Sequence, residues 1–218
     1  AEDEVDVSLG RERYGRGLME RFQEFGIPGR KTIFVHGSYF TPAEMDMIAA
    51  TDSILVNNPE SNMNNGLSVS PILELLKHGV TVGVGTDGMS SHMISQARAL
   101  YLHQRTCHRD PGIAFAEACE ILLFNNREIC QRLFPEPRGA LAPGQLADIM
   151  IPQYVPFTPL SGETFFGHLL FGLSFSRIRT TIARGRVIVD EGRLPHLDED
   201  AIRARCAERA AGIWARIT

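Results

Sequence analysis

Three short apolar runs rich in β-branched residues punctuate the N-terminal part of the chain: Thr32-Ile-Phe-Val-His36, Ser53-Ile-Leu-Val-Asn57 and Val80-Thr-Val-Gly-Val-Gly-Thr86. Each stops at polar or glycine residues, which is how a fully buried strand reads. Segments of helical period lie between them. Residues 11–25 space Tyr14, Leu18, Phe22 and Phe25 three and four apart, until Gly26-Ile-Pro-Gly29 breaks the pattern. Thr41-Pro42-Ala-Glu44 supplies an N-cap, a proline at the first helical position and a glutamate at the third, so a helix runs from there to about Thr51. Asn58 to Gly66 reads as a loop of amides and turn formers. Ser70-Pro71 opens a further helix, and Ile94 to Thr106 forms one after the third strand. Strands alternating with helices predict a parallel α/β sheet, with function at the carboxyl ends of the strands.

The pattern then changes. Ile113 to Phe134 is a long helical stretch interrupted at Asn125-Asn126, and Pro135-Glu-Pro137 ends it. A domain boundary is expected there, giving residues 1–137 and 138–218. Gly139 to Ile151 reads as a turn and a strand, and Pro152 to Gly172 as a structured loop or short helix. Ile178–Ala183 and Arg186–Val189, joined around Arg184-Gly185, carry a hairpin signal. Leu197 to Ile217 closes the chain with an amphipathic helix whose stripe is Ile202, Cys206, Ala210, Ile213 and Trp214.

The strand ends fall at His36, Asn57 and Asp87. Consecutive βα units put such ends on one face, so His36 and Asp87 are expected to share a mouth. Asp87 has three readings. It suits a turn or a helix N-cap. Gly83-Val-Gly-Thr-Asp-Gly88 also matches G-x-G-x-x-G, but that fingerprint needs an acid after a second strand, and Asp110 follows a helical stretch instead. The third reading is a metal ligand or proton acceptor aimed into a barrel mouth. A lone His36 would read as structural; paired with Asp87 it becomes a site candidate. His103 and Cys107 stand four apart but read as a solvated helix face, because no further ligand converges on them.

Composition narrows the classes. A net charge of −4 with no basic stripe does not suit nucleic acid. The apolar runs are too short to span a membrane. The four cysteines form no C-x-x-C pair and read as reduced thiols of a cytoplasmic protein. An eightfold βα barrel needs about 250 residues. Residues 1–137 supply three strands, with the end of a fourth expected at Ala1, which makes half a barrel with two open sheet edges. With no Met at its start, the chain looks cut from something longer, and a missing N-terminal half or another chain is expected to complete it. A homodimer is allowed.

Phe34-Val-His36, Asn58-Pro-Glu-Ser-Asn62, Gly85-Thr-Asp87-Gly88 and Gly139-x-Leu-x-Pro-Gly-x-x-Ala-Asp148 together resemble the amidohydrolase superfamily, in its branch of metal-dependent aminohydrolases, deaminases and chlorohydrolases. Val155-Pro-Phe-Thr-Pro-Leu160, Gly167-His-Leu-Leu-Phe-Gly172 and the terminal helix with Trp214 look like the SsnA-type aminohydrolases. The resemblance implies the C-terminal half of a metal-dependent-hydrolase (β/α)8 TIM-like barrel, the C-terminal strands of a small composite β-sandwich and a terminal helix. It implies hydrolysis of a C–N bond in a heterocycle-like small molecule, with dechlorination or a non-catalytic split subunit as alternatives. One divalent metal ion, zinc above all, is implied for the full-length enzyme.

Roles carry over residue by residue. Asp87 matches the eighth-strand aspartate that binds metal and takes a proton from the attacking water. His36 matches the sixth-strand histidine beside the metal water or substrate. Glu2 matches the glutamate of an H-x-x-E segment that shuttles protons to the leaving nitrogen. Asn62 and His92 are candidates for substrate contact. The family's H-x-H after strand one has no counterpart here, and the histidine of H-x-x-E would fall two positions before Ala1. The isolated chain is therefore expected to hold no catalytic metal and to be inert.

Overall fold

The computed structural model describes residues 2–217. The expectation of a strand end at Ala1 lies outside them. The chain divides into two compact units: residues up to Gly139 together with Val155–Phe175, and Ala140–Tyr154 together with the stretch from Ser176 onward.

In the first unit, β1 (Ile33–Val35), β2 (Ile54–Asn57) and β3 (Thr81–Val84) form a parallel sheet in that order. Phe34 pairs with Leu55, and Leu55 with Val82. Helices α3 (Pro42–Ala50), α4 (Pro59–Asn64), α5 (Ile72–Lys77) and α6 (Met93–His108) follow the strands in the expected rhythm. Thr41 caps α3 as the sequence implies: its hydroxyl accepts from the Glu44 N–H, and the Glu44 carboxylate accepts from the Thr41 N–H. The core joins Met45, Ile48, Leu55, Ile72, Leu75, Val82, Ala97 and Leu100, all buried. Phe22, Phe34 and Phe40 pack at its flank.

Three expectations need correction here. Residues 11–25 are not one helix: α1 (Glu4–Tyr14) ends at Gly15, whose φ of 66° a left-handed cap requires, and α2 (Leu18–Glu24) begins afresh. Tyr14 and Phe25, read as part of an apolar stripe, are exposed. Asn58 to Gly66 is not all loop, because Pro59 at the first position starts α4. Val155–Phe175 belongs with the first unit, not with the rest of residues 138–218. Within it α9 (Phe165–Phe171) buries His168, Leu169 and Leu170, and Phe171 stacks on Phe115 beside Tyr101.

The glycines of the β3 run have packing reasons. A Cβ on Gly85 would lie 2.6 Å from Asn58 Oδ1 and 2.9 Å from Val56 Cγ1. One on Gly83 would lie 2.6 Å from Ile129 Cδ1 and 2.8 Å from Asn126 Oδ1. Gly85→Ala is therefore expected to destabilise the fold by about 1–3 kcal/mol, the usual range for overpacking. An unchanged urea midpoint would show that Asn58 simply moves aside.

The two sheet edges are not alike. After α7 (Phe115–Glu120) a π-helical turn, Ile121–Asn125, leads into α8 (Asn126–Leu133). Asn125 Nδ2 donates to the Val82 carbonyl at 2.8 Å. The Val84 N–H donates to Asn126 Oδ1, and Asn126 Nδ2 donates to the Val84 carbonyl, both at 3.0 Å. Side-chain amides thus take the bonds that a neighbouring strand would make, so the expectation of two open edges holds at most for β1. There Ile33 and Val35 are exposed.

In the second unit, β4 (Ile149–Pro152), β5 (Ile178–Ala183) and β6 (Arg186–Val189) form an antiparallel sheet, with β5 and β6 the hairpin expected from the sequence. Asp148 ties its turn, accepting from the Arg184 N–H at 2.7 Å. Helix α10 (Glu199–Trp214) is present, but its apolar stripe is buried nowhere among the described residues.

Candidate functional site

The carboxyl ends of β1 and β3 bring His36 and Asp87 together, and Glu2, just before α1 (Glu4–Tyr14), joins them. His36 follows β1 and Asp87 lies three residues past β3. Both hold a left-handed backbone, at φ 69° and 51°, a conformation that costs a non-glycine residue about 1–3 kcal/mol. At His36 the surroundings enforce it: its N–H donates to the Val56 carbonyl, and its own carbonyl accepts from Asn57 Nδ2 and from Ser70 Oγ. At Asp87 the carboxylate accepts from the next residue's N–H, Gly88, at 2.7 Å. His36 Nε2 sits 3.6 Å from Glu2 Oε2 and 3.7 Å from Asp87 Oδ2. A histidine between two carboxylates is a proton-handling arrangement, with partly exposed carboxylates open to a ligand.

Helix α4 serves both centres from adjacent residues. Ser61 Oγ donates to Asp87 Oδ2 at 2.7 Å. Next to it, Asn62 Oδ1 lies 2.7 Å from His36 Nδ1. The Ser61 hydroxyl, and after it the Gly88 N–H, hold the Asp87 carboxyl below the usual aspartate range; the nearby His36 adds to this and burial opposes it. A depressed pKa means the charged form stabilises the fold above the unfolded pKa, and that contribution disappears as pH falls through the folded one. Ser61→Ala is accordingly expected to raise the Asp87 pKa, as read from its side-chain carbonyl ¹³C shift. An unmoved titration would remove Ser61 from this account.

The remaining candidates are placed differently. Asn62 is 1% exposed, so it has no surface to offer a substrate; its amide is spent on His36, Ser38 and Ser70. These bonds give it a role the sequence did not show. His92 caps α6, its Nδ1 accepting from the Ser95 N–H at 3.0 Å. His78 bonds Asp46 at 2.6 Å on the helix-side surface, away from this group. Ser61 and Ser70 were missed by sequence reasoning, and Asn57 was read only as a strand end, because nothing local links them to His36 or Asp87.

Glu2, His36 and Asp87 offer oxygen and imidazole donors of the kind that divalent zinc takes. Yet Asp87 already uses both oxygens for hydrogen bonds. Among the described residues no group of three or more His, Cys, Asp and Glu side chains is arranged to hold a metal ion by itself. Asp87 fits as one ligand of a set, and the described residues do not form the whole set. All four cysteines are free, and burial pushes the Cys119 thiol up to about 12, which leaves it inert. Among the described residues no helix is long and apolar enough to cross a membrane.

The chain is 28% identical over 222 residues to a 5-methylthioadenosine/S-adenosylhomocysteine deaminase of Desulfitobacterium hafniense, covering 98% of this chain and 50% of that protein. It is 30% identical to a 5'-deoxyadenosine deaminase of Methanothermobacter thermautotrophicus, covering 97% of this chain and 49% of that protein. It thus spans about half the length of the curated relatives it matches. Its fold matches an adenosine deaminase from Xanthomonas campestris with bound zinc at a TM-score of 0.86 and 20% identity, over 98% of this chain and 49% of that one. An atrazine chlorohydrolase from Arthrobacter aurescens complexed with zinc matches at 0.76 and 21% identity, over 94% and 46%. The fold is therefore that of about half of such a barrel enzyme, its C-terminal half. The amidohydrolase family model matches residues 4–188, and the chain belongs to the amidohydrolase family.

Proposed function

We propose that this chain is the C-terminal half of a metal-dependent aminohydrolase that deaminates a heterocycle, with an adenine-type purine first among the substrates to test. The observation that carries it is His36 Nε2 lying 3.6 Å from the Glu2 carboxylate and 3.7 Å from the Asp87 carboxylate, with His36 and Asp87 past the carboxyl ends of parallel strands. The relatives named as adenosine-type deaminases support it.

The reaction exchanges a ring C–NH₂ for C–OH, with water consumed and ammonia released. Asp87 would hold a divalent metal as one of its ligands, and the metal, when bound, would lower the pKa of water toward 7. The Asp87 carboxylate would take the proton of the attacking water. Glu2 passes a proton to the leaving nitrogen. His36 presents Nε2 to orient the water or polarise the carbon that is attacked. Ser61 donates to the same carboxylate and lowers its pKa further.

Two measurements test this. The full-length protein, loaded with zinc, is expected to release ammonia from S-adenosylhomocysteine or 5'-deoxyadenosine. Chloride release from a chlorotriazine without any ammonia from purines would replace deamination with dechlorination, and no turnover of either would favour a non-catalytic subunit. The isolated chain of 218 residues is expected to bind no zinc tightly and to be inert. Stoichiometric zinc surviving dialysis of that piece would overturn the assignment of the other ligands to the preceding half.

A further inference from the structure

We infer that Asn62 is a positioning residue that fixes which nitrogen of His36 carries the proton, and that the His36 carbonyl dictates this through Ser70. The deduction runs from a group with no choice. A backbone carbonyl only accepts. Ser70 Oγ lies 2.7 Å from the His36 carbonyl, so the single hydroxyl proton of Ser70 points there. Ser70 must then accept from everything else it touches. Its other partners are Asn57 Nδ2 at 2.8 Å, Asn62 at 3.0 Å and Ser38 Oγ at 3.3 Å. Asn57 cannot turn over, because its amide also faces the His36 carbonyl at 3.1 Å and must donate there. Asn62 therefore turns Nδ2 toward Ser70, and toward Ser38 Oγ at 3.3 Å. That leaves Oδ1 facing His36 Nδ1 at 2.7 Å, and an amide oxygen there requires Nδ1 to be the donor. In the neutral ring, Nε2 then carries the lone pair, aimed at the side where Glu2 and Asp87 stand.

The network is closed to water. Asn57, Asn62, Ser38 and Ser70 are all buried, and the links join residues between 8 and 34 positions apart. In a buried network of this kind, reversing one amide sets two acceptors face to face, which costs a full desolvation penalty. The relay places β1, β2, α4 and the start of α5 in one register, so the ring's aim is part of the fold.

The functional consequence rests on the hydrolase reading above; the tautomer does not. The test is a long-range ¹H–¹⁵N correlation of the histidine rings in the full-length protein, at a pH about two units above the ordinary histidine pKa of ~6.5. His36 is expected in the Nδ1–H form. Asn62→Asp keeps an acceptor at that point and is expected to preserve it. Asn62→Leu removes the acceptor and is expected to shift the ring toward Nε2–H and lower kcat about 10–100-fold, the usual cost of losing such a supporting partner. An Nε2–H ring in the parent protein overturns the inference, as does an unchanged Nδ1–H ring in a folded Asn62→Leu variant. Should Asn62→Leu not fold, the parent and Asn62→Asp spectra still decide. A parent with Nδ1–H and no hydrolase activity sinks the proposed function and leaves this network standing. An active enzyme with Nε2–H does the reverse.

Discussion

Asp87→Ala in the zinc-loaded full-length protein is expected to lower kcat/KM by at least about 10⁴-fold, with ammonia release as the readout. The size follows from two losses at once. A positioned proton acceptor is worth about 10²–10⁴-fold. A ligand lost from a catalytic metal removes charge stabilisation worth several kcal/mol more. Asp87→Asn separates charge from shape, since its amide still fills the site and can accept from Gly88, whose N–H lies 2.7 Å from the parent carboxylate. It is expected to fall nearly as far as alanine. Zinc content, measured on the same preparations, should drop with both. Turnover within about tenfold of the parent in folded Asp87→Ala would remove Asp87 from the chemistry, because neither loss is that small.

The sequence carried the strand ends well, and for a physical reason. A strand buried on both faces is a continuous apolar run, so its end is visible wherever the run meets polar residues. That is why the ends near His36 and Asp87 are legible on one face of the sheet from the sequence alone. Their support could not be placed so easily. Ser61 and Asn62 sit in an amide-rich stretch that reads as loop, although Asn58-Pro59 carries the start signal of α4. Their bonds to Asp87 and His36 each cross 26 positions, and no local period reports a contact of that kind. The terminal helix shows the opposite failure. Its apolar stripe is legible, yet a stripe only says what could be buried, and α10 buries none of it among the described residues. The boundary read at Pro135-Glu-Pro137 grouped Val155–Phe175 with the second domain, but Phe171 beside Tyr101 and Phe115 places it in the first unit.

The pair Asn125-Asn126 is the most instructive of the misread positions, because it looked like a break in a helix and is the device that closes a sheet edge. Asn126→Ala is expected to destabilise the first unit by about 2–4 kcal/mol, as each orphaned strand group costs about 1–3 kcal/mol. The Val84 N–H and carbonyl would both lose their partner, at a position where β3 is buried on either face. Asn125→Ala leaves only the Val82 carbonyl and should cost about half as much. The loss should also be local: Val84 is three residues from Asp87, so amide exchange at Val84 should quicken before exchange at Leu55 does. Urea unfolding of the full-length variants measures the first effect and hydrogen exchange the second. A preceding half that pairs with β3 through its backbone would mask both, since a strand would then satisfy Val82 and Val84 whatever stood at Asn125 and Asn126. A midpoint unchanged in Asn126→Ala therefore counts against the side-chain edge and for strand pairing there. A clear drop means that the chain closes this edge with its own amides and that pairing with another half falls to β1.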